Sequence, residues 1–158
     1  MTPNEIQNTE LRLGYIFTNK DLLIQSLTRT AAANEQRQSG QICEDQEILC
    51  TLGDAVLKLV LVDLLMKHGY TTPGDITQHK EKLEKGTSLG PMLREIGIAP
   101  IVGRGEQKLG IQDKSDALAE TFEAIIGAIY QDGGYGIIKK LVAKWFRPKI
   151  EALQSDNT

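Results

Sequence analysis

The chain has 158 residues, 41% hydrophobic and 25% charged, a balance that excludes a disordered polymer and allows one domain whose core needs no disulfide or metal staple. No apolar run reaches the roughly 20 residues of a bilayer span; the longest candidate, 56–66, is broken by Lys58 and Asp63, and the polar opening 1–10 has no basic and apolar blocks of an export signal. The formal net charge of −3 argues against nucleic-acid binding, since phosphate contacts need Lys and Arg, but only weakly, because basic residues can gather on one surface.

Taken in chain order, the periodicity reads helix nearly everywhere. Ile6, Leu11 and Leu13 suit a short first helix stopped by Gly14. Thr18 or Asn19 can cap a second, with Leu22, Leu23, Ser26 and Leu27 at helical spacing. The polar stretch 34–40 has no period and reads as a loop. From about 45 to 67 runs the longest helix, apolar over more than one face, which places it in the middle of the domain. It closes at His68-Gly69, and 71–74 is a turn. Asp75 caps a helix that closes at Gly86, and Thr87 or Ser88 caps the next, which closes at Gly97. Pro100, Gly103, Gly105 and Gly110 make 99–114 a structured loop. A helix over about 115–130 buries Leu118, Phe122, Ile125, Ile126 and Ile129, and a last one over about 135–146 ends before Pro148. Residues 151–158 read as a disordered tail. No segment alternates as a strand must, so the fold class is all-α.

Two of the central helices carry acids where a buried helix should be apolar. Glu47 and Asp54 are seven residues apart, on one face, and Gly53 beside Asp54 lets a backbone or substrate approach. Asp116, Glu120 and Glu123 are spaced four and three, again one face. If the helices pack, Asp54, Glu120 and Glu123 converge, and a hard divalent cation is the usual remedy for such crowding. A solvated acidic face gives the same spacing, but the run 124–130 after Glu123 is apolar, so the helix is buried there. The stretch holding Lys80, Lys82, Lys85, Arg94, Arg104, Lys108 and Lys114 is open to two readings, a solvated face or an RNA groove. His68 reads as a helix C-terminal cation and His79 as an exposed side chain. Gly103-Arg104-Gly105 lacks the helix start and Lys of a nucleotide loop, so no nucleotide cofactor is expected. Cys43 and Cys50 are expected free, and the chain cytoplasmic.

The run 47–57, EILCTLGDAVL, resembles the signature helix of ribonuclease III, and 118–134, LAETFEAIIGAIYQDGG, resembles that family's second catalytic helix. Leu22-Leu23 through Ser26-Leu27-Thr28, Gly74-Asp75-Ile76-Thr77 and Gly103-Arg104-Gly105-Glu106 agree, in the family's order, over about 6–146. The resemblance implies a stand-alone nuclease domain over 1–150, with about seven helices around the signature helix and no double-stranded-RNA-binding domain. It implies a homodimer that cuts double-stranded or hairpin RNA with Mg²⁺, or Mn²⁺ in its place. Asp54, Glu120 and Glu123 match its metal ligands, Glu120 standing where Asp is usual, and Glu47 matches the supporting first acid of the signature. Cys50 stands where the family has a metal-binding Glu, and a thiol serves Mg²⁺ poorly. Thr51 replaces an aromatic dimer contact, Pro73 an acid near the RNA, and Arg29 a His. These departures keep open a second reading, a weakened or inactive RNA-binding or scaffold dimer.

Overall fold

The structure, a computed structural model, describes residues 1–155. Nine α-helices form among them: α1 (Pro3–Leu13), α2 (Lys20–Leu27), α3 (Thr30–Gln38), α4 (Glu47–Lys67), α5 (Pro73–Glu84), α6 (Gly86–Ile96), α7 (Arg104–Lys108), α8 (Ser115–Gly133) and α9 (Tyr135–Ser155). A 3₁₀ turn, Ile111–Asp113, lies between α7 and α8. Among the described residues no strand forms, and the extended segments meet only in one bridge, Thr28 with Ile101. The all-α class holds. None of the described helices is long and apolar enough to cross a membrane.

α4 and α8 are the two core helices. α4 buries Leu49, Val56, Leu57, Val60, Leu61, Leu64 and Leu65, and α8 buries nearly every apolar residue from Ala117 to Ile129. Two glycines let them meet backbone to backbone. A Cβ on Gly53 would lie 1.6 Å from the Glu123 carbonyl oxygen, and one on Gly127 would lie 2.4 Å from that of Leu49. The approach that Gly53 permits is therefore that of α8. Around this pair, α9 presents Ile138, Val142, Phe146 and Ile150 inward, with the Phe146 ring parallel to that of Phe122. α6 seats Gly90 against Ser115, where a Cβ would fall 2.7 Å from a backbone oxygen.

The structure differs from the sequence reading where local signals mislead. The stretch 34–40 is not all loop, because α3 runs to Gln38. It is anchored by buried Ala32 and Ala33, and Arg37 donates to the Cys43 carbonyl at 2.8 Å. The glycine-rich stretch 99–114 contains α7, with the Gly103 amide bound by Glu106 and the Arg104 amide donating to Glu35 at 2.7 Å. A helix start does follow Gly103, and its amide is already taken by a carboxylate. Thr72, not Asp75, caps α5, its hydroxyl accepting from the Asp75 amide at 3.3 Å. Gly86 is the first residue of α6, which has no side-chain cap. α9 continues through Pro148 to Ser155, because burial of Ile150 and a 3.0 Å bond from Lys149 Nζ to Ser88 hold its later turns. The tail expected over 151–158 thus begins inside α9, and 156–158 lie outside the described residues.

Candidate functional site

Where α4 crosses α8, acidic side chains of the two helices come close enough for their charges to act on one another. Asp54 sits one residue beyond Gly53, at the closest approach, and Glu123 occupies the facing turn of α8. Burial pushes the Glu123 carboxyl up to about 7, and the nearby charge of Asp54 adds to this, with Lys58 opposing and Glu120 and Glu84 adding further. That repulsion is the mark of two carboxylates from separate helices sharing one space.

The site also holds cations. Lys58, one turn after Asp54 on α4, places Nζ 2.6 Å from Asp54 Oδ1 and 3.7 Å from Glu84 Oε2. Glu84 comes from the end of α5, and Lys80 lies 3.4 Å from its other oxygen. Glu84 Oε2 is buried and accepts no hydrogen bond. On the far side, Arg29 donates to Glu120 Oε2 at 2.8 Å and to Glu106 Oε2 at 2.9 Å. Burial lowers the tendency of this guanidinium to keep its proton, but its two carboxylate bonds outweigh that, so its pKa is raised.

Cys50 lies between these groups and donates its thiol hydrogen to the Glu120 carbonyl oxygen at 3.1 Å. Burial, then the charges of Glu120 and Glu123, push this thiol up to about 12. It is a protonated group tied to the main chain, not a nucleophile or a thiolate ligand. Cys43 and Cys50 are both free. Arg29, Thr30, Glu47, Cys50, Glu106 and Glu120 line a pocket of about 640 Å³, where Glu47 accepts from the Thr30 hydroxyl at 3.1 Å.

Of the acids picked out in the sequence, Glu120 lines this pocket while Asp54 and Glu123 are not among its lining residues; Glu123 nevertheless lies close enough to Asp54 and Glu120 to feel both charges. Glu47 lines the pocket beside Glu120, and Asp116 is exposed, beside Gly86. The sequence reading did not find Lys58, Glu84 or Glu106 as members of the site. Lys58 had a usable signal, the four-residue spacing from Asp54 that pairs opposite charges on a helix. Glu84 had none, since its place depends on how α5 packs. His79, expected exposed, is buried against Tyr70 with ring centroids 4.6 Å apart, and its Nδ1 makes no hydrogen bond. A single polar residue on an otherwise polar helix gives no warning of burial.

The donor set suits a hard divalent cation. Asp54, Glu120 and Glu123 offer only carboxylate oxygens, Glu84 carries an unbonded buried oxygen, and the repulsion on Glu123 is what a cation would relieve. The fit lies in chemistry and charge, because no group of three His, Cys, Asp or Glu side chains among the described residues is gathered closely enough to form a ready shell.

The structure is thus an all-helical domain whose two core helices lock at glycines and carry acidic side chains near their crossing. The model of the family described as ribonuclease-III-like matches residues 19–150. The chain is 33% identical over 149 residues to ribonuclease 3 of Buchnera aphidicola subsp. Acyrthosiphon pisum, covering 92% of this chain and 62% of that protein. It is 34% identical over 146 residues to ribonuclease 3 of Shewanella denitrificans, covering 90% and 60%. Among solved structures, the nuclease domain of Campylobacter jejuni ribonuclease III superposes with a TM-score of 0.79 at 28% identity, covering 90% of this chain and 96% of that one. The chain belongs to the ribonuclease-III-like family. It spans about three fifths of the length of these curated relatives.

Proposed function

We propose that this chain is an endoribonuclease that cuts double-stranded or hairpin RNA during RNA processing in the cytoplasm, by divalent-metal-assisted phosphodiester hydrolysis. The observation that carries the proposal is the approach of Asp54 and Glu123 on two helices locked together at Gly53 and Gly127, close enough that the charge of Asp54 adds to the burial that raises the Glu123 carboxyl. In this reading Asp54, Glu120 and Glu123 hold Mg²⁺, or Mn²⁺ in its place, and Glu47 supports the site from beside Glu120. When bound, such a cation supplies Lewis acidity toward a phosphodiester and makes a water more acidic. Glu123 must lose its proton to act as a ligand, so metal binding competes with that proton and strengthens as pH rises toward about 7. Arg29 orients Glu120 through their 2.8 Å bond. Cys50 fixes the Glu120 main chain and donates no charge.

The nuclease domain, over 1–150, acts as a homodimer in this reading. Support comes from α4, where Ile48 is 72% and Leu59 54% exposed. With Leu52 and Ala55 between them, they form an apolar stripe at helical spacing on the outer face of the signature helix. The solved Campylobacter jejuni nuclease domain is described as having a region involved in dimer formation.

The test is incubation of the pure protein with a double-stranded RNA in Mg²⁺ and in Mn²⁺, beside Asp54→Asn and Cys50→Glu variants. Cutting by the wild type and none by Asp54→Asn is the expected result. Cutting that survives Asp54→Asn removes the proposed site. Binding without cutting by the wild type, together with cutting by Cys50→Glu, replaces the enzyme with a binding-only protein.

A further inference from the structure

Asp54 already carries a cation supplied by the chain itself. The Lys58 ammonium is 2.6 Å from Asp54 Oδ1 and 3.7 Å from Glu84 Oε2. These two carboxylates reach it from different helices. Glu84 is well fixed: the neighbouring Leu83 is buried in the core, and Lys80 holds the other oxygen. Lys58 itself is held at its tip by the hydrogen bond to Asp54 and by charge, with its side chain 43% exposed. An ammonium on a flexible four-carbon stem can leave for water without disturbing the fold.

We propose that Lys58 is a built-in counter-cation of the acidic site, seated on Asp54 in the absence of metal, and that a divalent cation binds by displacing it. The inference rests on the reading of Asp54 as a metal ligand. Its consequence is that the empty site is partly neutralised, so apparent metal affinity is set by competition between the ion and Lys58. A carboxylate bonded to an ammonium must give up that bond before it can coordinate, and an ammonium left nearby repels the incoming dication. Glu84 provides the second seat, toward which Lys58 shifts when Asp54 is taken.

The test is Mn²⁺ binding by isothermal titration calorimetry and by electron paramagnetic resonance of the free ion. It is run on wild type, Lys58→Met, Lys58→Gln, Asp54→Asn and the Lys58→Met/Asp54→Asn pair, each checked for its helical circular dichroism spectrum. Removing the competing charge is expected to tighten Mn²⁺ binding at least about fivefold in both Lys58 variants. That gain is expected to vanish in the double variant. Unchanged or weaker Mn²⁺ binding in both Lys58 variants overturns the proposal while leaving the metal site standing. No Mn²⁺ uptake by wild type or any variant overturns the metal reading and this inference with it. A gain that persists in the Asp54→Asn background shows that Lys58 competes elsewhere, and also overturns it.

Discussion

Replacing Glu123 by Gln should stabilise the ion-free protein at neutral to alkaline pH while removing its ability to hold metal. The ordinary carboxyl value is 4.5, and in the fold burial and then the charge of Asp54 move Glu123 to about 7. Below pH 4.5 the group is protonated in both folded and unfolded states and contributes nothing to the difference. Between 4.5 and about 7 the folded state keeps a proton that the unfolded state has lost, so stability falls as pH rises; above about 7 the full cost is present. At about 1.4 kcal/mol per pH unit the cost has an upper limit of about 3.5 kcal/mol, and solvent screening of a half-buried group reduces it to about 1–2 kcal/mol. For a domain of this size that corresponds to about 3–6 °C in melting temperature. Thermal unfolding followed by circular dichroism, in a chelator at pH 5 and pH 8, should show Glu123→Gln melting above wild type at pH 8 and close to it at pH 5. Millimolar Mg²⁺ should close the pH 8 gap by stabilising the wild type alone. A variant that melts below wild type at pH 8, or differs equally at both pH values, refutes the reasoning.

Gly127→Ala should lower stability by about 3 kcal/mol or more, read as the midpoint of urea unfolding, because its Cβ would fall 2.4 Å from the Leu49 carbonyl oxygen. Gly136→Ala, in α9 with no atom within 4 Å, should be neutral or mildly stabilising. The Cys50 thiol, pushed up to about 12, should react slowly with a disulfide reagent at pH 8. A Cys43→Ser variant should therefore lose a fast phase and keep only a slow one, and fast labelling in that variant would contradict the half-buried, protonated thiol.

The core of the fold was readable because the two central helices announce themselves twice. Their apolar residues cover more than one face, as burial on all sides requires, and their acids stand out against that background. Gly53 marked the crossing point for the same reason, since a glycine inside a long helix has to be offset by close packing. Exposed helices gave no such signal. The outer half of α3 is Glu, Gln and Arg, which form helix well but leave no period to detect. α7 hid among glycines that read as breakers. The end of α9 was lost to Pro148, whose helix-breaking tendency is outweighed by contacts from residues distant in sequence, Ser88 among them. Local pattern therefore located the acids and the scaffold, and tertiary packing decided which cations reached them.

That division explains why the Cys50 position carries less weight than a ligand count suggests. Taking a carboxylate out of the site removes a charge, and the thiol in its place satisfies the Glu120 carbonyl without adding one. Arg29 and Lys58 then take up Glu120 and Asp54, so two of the three proposed ligands are already paired before any ion arrives. Glu123 keeps a repulsion that Lys58 only partly offsets, and that single carboxyl is a modest burden on a core this extensively buried. The domain can therefore fold without metal, and an ion at this site would be a reagent rather than a staple. Cys50→Glu should reverse that balance by adding a charge that neither Arg29 nor Lys58 is free to neutralise, making metal binding tighter and the ion-free fold weaker at once.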